Sequence, residues 1–215
     1  PYDQAGLPAD EDPLKPALLN VLPALEKQMS DPDRAIRLMA IKAIEWLQKD
    51  AAPAAPTLIR SLRDADRFVR WEAARILGDI KPDAAAVPGL AALLFDYDLD
   101  LRLAAASTLD EYGPVAKAAL PALQITVNRG DPEIRIAAIE AIVKQGKKGQ
   151  VAIPAFIQAL SAEDPRVIST AAQALNRYGA AARAAEPRLR QLLDHPDAGV
   201  RRAVSEALLD LLNER

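Results

Sequence analysis

An aspartate recurs at Asp33, Asp66, Asp98, Asp131, Asp164 and Asp197, in steps of 33, 32, 33, 33 and 33 residues. Two further columns share the period. Three residues after each aspartate stands Ile36, Val69, Leu101, Ile134, Val167 or Val200, and the next residue is arginine in five repeats of six: Arg37, Arg70, Arg102, Arg135 and Arg201, with Ile168 the exception. Ten residues before each aspartate stands a proline: Pro23, Pro56, Pro88, Pro121, Pro154 and Pro187. A period of this length dictates a stack of small, similar units, because one such unit cannot bury its own apolar face.

The columns specify the unit. Aspartate ahead of an apolar-periodic run is a helix N-cap, its carboxylate accepting from free backbone N–H groups. Pro132 and Pro165 follow their aspartates at the first helical position, where a missing N–H is no loss. Beyond the cap, apolar residues recur at helical spacing, as in Ile134, Ala138, Ala141 and Ile142. This gives a second helix of about 14 residues. Gly113, Gly146 and Gly179 close that helix in three repeats, where a left-handed residue is needed. A first helix runs from near the proline to the aspartate, with the apolar face Leu25/Met29, Leu58/Leu62, Leu90/Leu94, Leu123/Val127, Phe156/Leu160 and Leu189/Leu193. On the second helix, Ala40, Ala73, Ala105, Ala138, Ala171 and Val204 allow close approach, while Ile44, Leu77, Leu109, Ile142, Leu175 and Leu208 fill the space between neighbours.

The pattern Pro-x-Leu…Leu…Asp-x-x-Val-Arg-x-x-Ala…Ala-Leu…Gly resembles the HEAT repeat, in the bacterial form found in phycobilisome-lyase-like proteins. The resemblance covers residues 17–215 and implies an all-α fold: an α-solenoid, a right-handed superhelix, of helical hairpins at 17–50, 51–82, 83–115, 116–148, 149–181 and 182–215. It says less about function, because the motif consists of structural residues. It implies a non-enzymatic scaffold or adaptor gripping a protein partner on its concave face. The alternative it carries is a lyase subunit acting on a protein-bound chromophore.

Composition narrows the choice. Half of the chain is apolar and only 4% aromatic, which suits packed helices. There is no cysteine, so no disulfide or thiolate metal site exists. No apolar run approaches the ~20 residues that cross a membrane. The net charge is −3, and residues 1–16 hold Asp3, Asp10, Glu11 and Asp12 against Lys15. That arithmetic, four acidic groups less one basic, accounts for the whole imbalance and leaves a neutral array without the basic footprint of a nucleic-acid groove. Residues 1–16 read as an acidic, proline-rich tail or linker. A cytoplasmic location is favoured, with the periplasm as alternative because Pro1 in place of Met points to processing or truncation. In the first repeat Leu18, Leu19, Val21 and Leu22 are expected to wrap the open end of the stack. Between repeats two and three, Lys81-Pro82 should end a helix early and alter the twist.

Few residues could carry chemistry. His195, the single histidine, takes the turn position held elsewhere by Asp31, Asp64 and Asp96. With one histidine and no cysteine, a transition-metal site would rest on carboxylates, which suits few catalytic centres. No metal, cofactor or catalytic residue is assigned. The Gly146-Lys147-Lys148-Gly149 run reads as a solvated turn rather than a phosphate loop. The aspartate and arginine columns are expected to zip adjacent turns, each arginine reaching the neighbouring cap, and Ile168 leaves a gap in that ladder.

The departures that point to function lie one residue after the arginines: Leu38, Trp71, Leu103, Ile136, Ser169 and Arg202. Four consecutive apolar residues there predict a stripe on the concave face, with Met39 and Trp46 beside it. Neighbouring helices would set Leu38, Trp71 and Leu103 roughly 10 Å apart, with Trp71 as anchor. Partner identity and oligomeric state stay open.

Overall fold

The computed structural model describes residues 14–80 and 84–213, and among these every regular element is a helix. The chain divides into two compact units, Pro1–Pro82 and Asp83–Arg215, between the second and third repeats. In the first unit, α1 (Leu14–Gln28) pairs with α2 (Arg34–Glu45), and α3 (Ala55–Ser61) with α4 (Arg67–Ile80). In the second unit, α5 (Val87–Leu93) pairs with α6 (Leu99–Tyr112), α7 (Leu120–Val127) with α8 (Pro132–Val143), α9 (Ile153–Ala159) with α10 (Pro165–Arg177), and α11 (Glu186–Gln191) with α12 (Ala198–Asn213). α4 ends at Ile80, and Lys81 and Pro82 lie outside the described residues, as do residues 1–13. The first helix begins at Leu14, inside the stretch 1–16.

The first helix of each later repeat is shorter than the apolar pattern suggests. A 3₁₀ segment precedes it, as at Gly113–Ala119, Gly146–Ala152 and Gly179–Ala185, and the α-helix proper starts near the proline. Pro56, Pro88, Pro121, Pro154 and Pro187 all stand at the first or second helical position, where the lost N–H has no intrahelical partner. Pro23 differs, since it lies inside α1. Gly113, Gly146 and Gly179 each take positive φ, as their column requires.

The core is linear. The alanine column and the larger residues four places on are buried throughout, and so are the first-helix pairs, with Leu25 half-buried and Leu193 exposed. α11 is only six residues long, and Leu192 takes the inward place instead of Leu193. In the column after the caps, Val69, Leu101, Ile134, Val167 and Val200 are buried, whereas Ile36 is not. Nor do all the extra residues of α1 cover the first hairpin: Leu22 is buried, Leu18 is half-buried, and Leu19 and Val21 are exposed.

Candidate interaction surface

Five of the six capping aspartates accept backbone N–H bonds at their helix N-termini: Asp33 from Ala35, Asp66 from Phe68, Asp98 from Asp100, Asp164 from Arg166 and Asp197 from Val200. Asp131 makes no such bond, and its carboxylate accepts from Arg102 at 2.7 Å instead. A second set of acceptors lies two residues earlier. Asp31, Asp64 and Asp96 accept from the N–H groups of Asp33, Asp66 and Asp98. His195 does the same job, its Nδ1 accepting from Asp197 N–H at 3.1 Å. It is a turn residue, and among the described residues no cluster of three or more His, Asp or Glu is placed to hold a metal.

The arginine column mainly clamps each hairpin turn to its own second helix. Nη1 of Arg37, Arg70, Arg102 and Arg201 donates to two successive turn carbonyls, those of Asp31/Pro32, Asp64/Ala65, Asp96/Tyr97 and His195/Pro196. Arg135 departs from this and donates to Val127. Links between repeats exist but are less regular than a ladder of caps. Arg37 grips Asp64 of the next repeat through two hydrogen bonds of 2.9 and 3.0 Å, two residues short of the cap, and Arg34 reaches the cap Asp66. Arg102 reaches the cap Asp131. Ile168, where the clamp is missing, is buried, and Arg166 beside it bridges back to Glu133 while also holding Asp164. The hydrogen bonds from Arg166 lower the Asp164 carboxyl below its ordinary value, and those carboxylates raise Arg166 in turn.

Leu38, Trp71, Leu103 and Ile136 are all half-buried, neither core nor free surface. Leu38 and Trp71 belong to the first unit, Leu103 and Ile136 to the second. The Arg75 guanidinium lies 5.6 Å over the Trp71 ring and is paired with Glu72 and Glu45. Burial pulls Arg75 down, but those two carboxylates outweigh it and raise its pKa. Phe68, exposed on the same helix, lies beneath Arg34 and Arg67 at 5.5 and 4.7 Å. The sequence had not singled out Phe68 or Arg75. Arg75 stands one helical turn after Trp71, a spacing that would have found it, whereas Phe68 meets Arg34 from another helix and could not be read from its own segment. Met39 and Trp46 do not join the Leu38 column. They sit about a quarter-turn round α2 and are well exposed. Lys147 and Lys148 are exposed in their turn, while Gly149 is buried there.

Comparison places the chain among known repeat proteins. The family model for HEAT repeats matches residues 55–142 and 119–209. No curated protein sequence matches it. Among solved structures it is similar to an engineered protein from a structural genomics consortium, at 21% identity and a TM-score of 0.62, over 89% of this chain and 96% of that one. It is also similar to a designed armadillo repeat protein in complex with the peptide (KR)4, at 20% identity and a TM-score of 0.67, over 88% and 99%. A further similarity is to computationally designed armadillo repeat proteins for modular peptide recognition, at 19% identity and a TM-score of 0.66, over 88% and 99%. Likeness at these identities concerns the fold alone.

Proposed function

The chain belongs to the HEAT-repeat family, and from that premise we propose that it is a non-enzymatic scaffold holding a partner protein on the face of its second helices. Trp71 carries the reading. Packing is supplied by other columns, since Ala73 and Leu77 on the same helix are fully buried, yet a large aromatic stands half-open at this position beneath Arg75. Leu38 in the same unit, and Leu103 and Ile136 in the other, keep the column apolar where burial is incomplete. Together with Phe68 under Arg34 and Arg67, the α4 surface suits a segment whose apolar side chains cover the rings. A designed armadillo protein of similar fold is in complex with the peptide (KR)4.

Phage-displayed peptides selected on the full chain test this. Binders should carry an apolar anchor, and should lose about 30-fold in affinity on Trp71→Ala, the loss expected of a tryptophan anchor. The variant should melt close to the parent. Equal binding to both proteins would place the contact elsewhere. A sharply lowered melting temperature, with binding kept by the folded fraction, would make Trp71 a packing residue.

A further inference from the structure

On α2, the positions 36, 39, 43 and 46 follow one another by three, four and three residues and so form one stripe. In this protein that stripe reads Ile36, Met39, Ala43 and Trp46, with exposures of 36% for Ile36, 73% for Met39 and 67% for Trp46, and Ala43 half-buried. The first and third positions are closed in later repeats: Val69 and Ile76, Ile134 and Ala141, Val167 and Ala174, Val200 and Ala207 are all buried. What closes them is the second helix of the preceding repeat, since α4 packs on α2, α8 on α6, α10 on α8 and α12 on α10. The direction is fixed by Glu72, which stands at the Met39 position of α4 and meets Lys42 of α2 at 3.7 Å.

Repeat one has no described helix before it, so exposure of Ile36 and Ala43 alone would be an ordinary end effect. Met39 and Trp46 are a separate matter. Their columns hold Glu72, Ala104, Ala137, Thr170 and Ala203, and Asp79, Glu111, Lys144, Arg177 and Asp210. The fold therefore needs small or polar residues at the first and charged ones at the second, and this helix carries large apolar residues at both. On α1, Val21 is exposed where Ala54, Ala119, Ala152 and Ala185 are buried.

The polar rim of the stripe says what would sit on it. In the first unit Arg37 of one second helix grips Asp64 of the next repeat, and Arg34 reaches Asp66; in the second unit Arg102 reaches Asp131. Asp31 and Asp33 hold the Asp64 and Asp66 positions in repeat one. A helix seated here in repeat register brings the first turn of its own sequence to those two carboxylates. We propose that this face docks an amphipathic α-helix in the register of a preceding second helix, its apolar stripe on Ile36, Met39 and Ala43, with Trp46 at the exposed rim where Lys144 of a later repeat meets Asp110 of the helix before it, and an arginine of its first turn on Asp31 and Asp33. A second copy stacked head to tail would keep an arginine at the right place, Arg201 of α12, but it sets exposed Arg202 in the column where Leu38, Trp71, Leu103 and Ile136 are apolar and half-buried, and so matches less well. The surface excludes Trp71, so failure of either proposal leaves the other standing.

The test uses the full chain carrying Trp71→Phe, in which Trp46 is the sole tryptophan. The probe is a hydrocarbon-stapled helical peptide of residues 98–113, which contains Arg102. Binding should blue-shift Trp46 emission saturably. Met39→Glu in the protein, whose retained fold is checked by circular dichroism, should weaken binding about tenfold or more. Arg102→Glu in the peptide should weaken it about fivefold. Absence of any shift, or a Met39→Glu variant that binds equally well, overturns the proposal. Two further outcomes reassign the face. A parent dimer made monomeric by Met39→Glu gives it to a second copy. A deletion of residues 1–13 that red-shifts Trp46 and strengthens peptide binding gives it to the chain's own acidic segment.

Discussion

Gly146 and Gly149 stand three residues apart in one turn for unrelated reasons. Gly146 has positive φ, +59°, and open space around its α-carbon, so only the backbone demands it. Gly149 is held by its surroundings: a β-carbon there would collide with the Tyr178 hydroxyl and lie 2.6 Å from the Ile142 carbonyl oxygen. Tyr178 is fixed in place by stacking on Phe156 and by a long hydrogen bond, 3.4 Å, donated to that same carbonyl. Two substitutions at each site separate the causes. Gly146→Ala should destabilise by about 1–2 kcal/mol, the strain of a left-handed residue, and Gly146→Asn should be milder because asparagine tolerates that region. Gly149→Ala should lose about 1–3 kcal/mol through overpacking, with Gly149→Asn no milder. Urea midpoints of the four variants check this, and equal rescue by asparagine at both sites would refute it. The sequence identified the turn and the reason for Gly146, because a C-terminal glycine belongs to a column. It could not show Gly149, since Tyr178 is 29 residues away and approaches only through the stacking of two repeats. The half-burial of Leu38 and Trp71 was illegible for a related reason: periodicity fixes which residues share a helix face, but not how far that face is rolled towards its neighbour.

At the scale of the element, the period made the hairpins legible nearly to their caps, because proline, aspartate and glycine each carry a local backbone requirement. The arginine column shows the limit. Its charge suggested links between repeats, whereas most of its hydrogen bonds go to carbonyls of its own turn, an acceptor that no side-chain pattern reveals. Repeat five is where this changes the expected behaviour. Ile168 is only 2% exposed, so replacing it with arginine would exchange apolar burial for turn hydrogen bonds, and no simple repair of a ladder follows. The connection to repeat four is instead made by Arg166 with Glu133 and Asp164. Because the folded Asp164 carboxyl lies below the ordinary aspartate value of about 3.9, held there by Arg166, it releases its proton more readily than in the unfolded chain. Its stabilising effect is therefore present above that value and is lost as pH falls through the depressed one. Asp164→Asn keeps a capping side chain and removes the charge. Parent and variant should differ most in melting temperature near neutral pH and at low salt, and converge below about pH 4. A difference unchanged from neutral to acid pH would assign the Asp164 contribution to capping alone.

Stability in a stacked array is the sum of small units and the interfaces between them, and how far cooperativity runs depends on every interface in the series. The sequence reads residues 17–215 as one continuous array, while the folded chain divides at Pro82. The distribution of tryptophan makes this distinction measurable. Trp46 and Trp71 are the only two, and both lie in the first unit, so their fluorescence follows that unit while far-ultraviolet circular dichroism follows all helices. A perturbation confined to the other unit then reports the coupling. Leu123 on α7 is fully buried, and Leu123→Ala should cost about 2–5 kcal/mol locally by opening a cavity. If the array unfolds as one, the fluorescence midpoint in urea moves down together with the dichroism midpoint, although no tryptophan lies in the mutated unit. That is the expected result, because thirty-odd-residue hairpins gain most of their burial from neighbours rather than from within. A fluorescence transition that stays in place while the dichroism splits into two steps would show two cooperative units, and Lys81-Pro82 would then be a domain boundary rather than a change in twist.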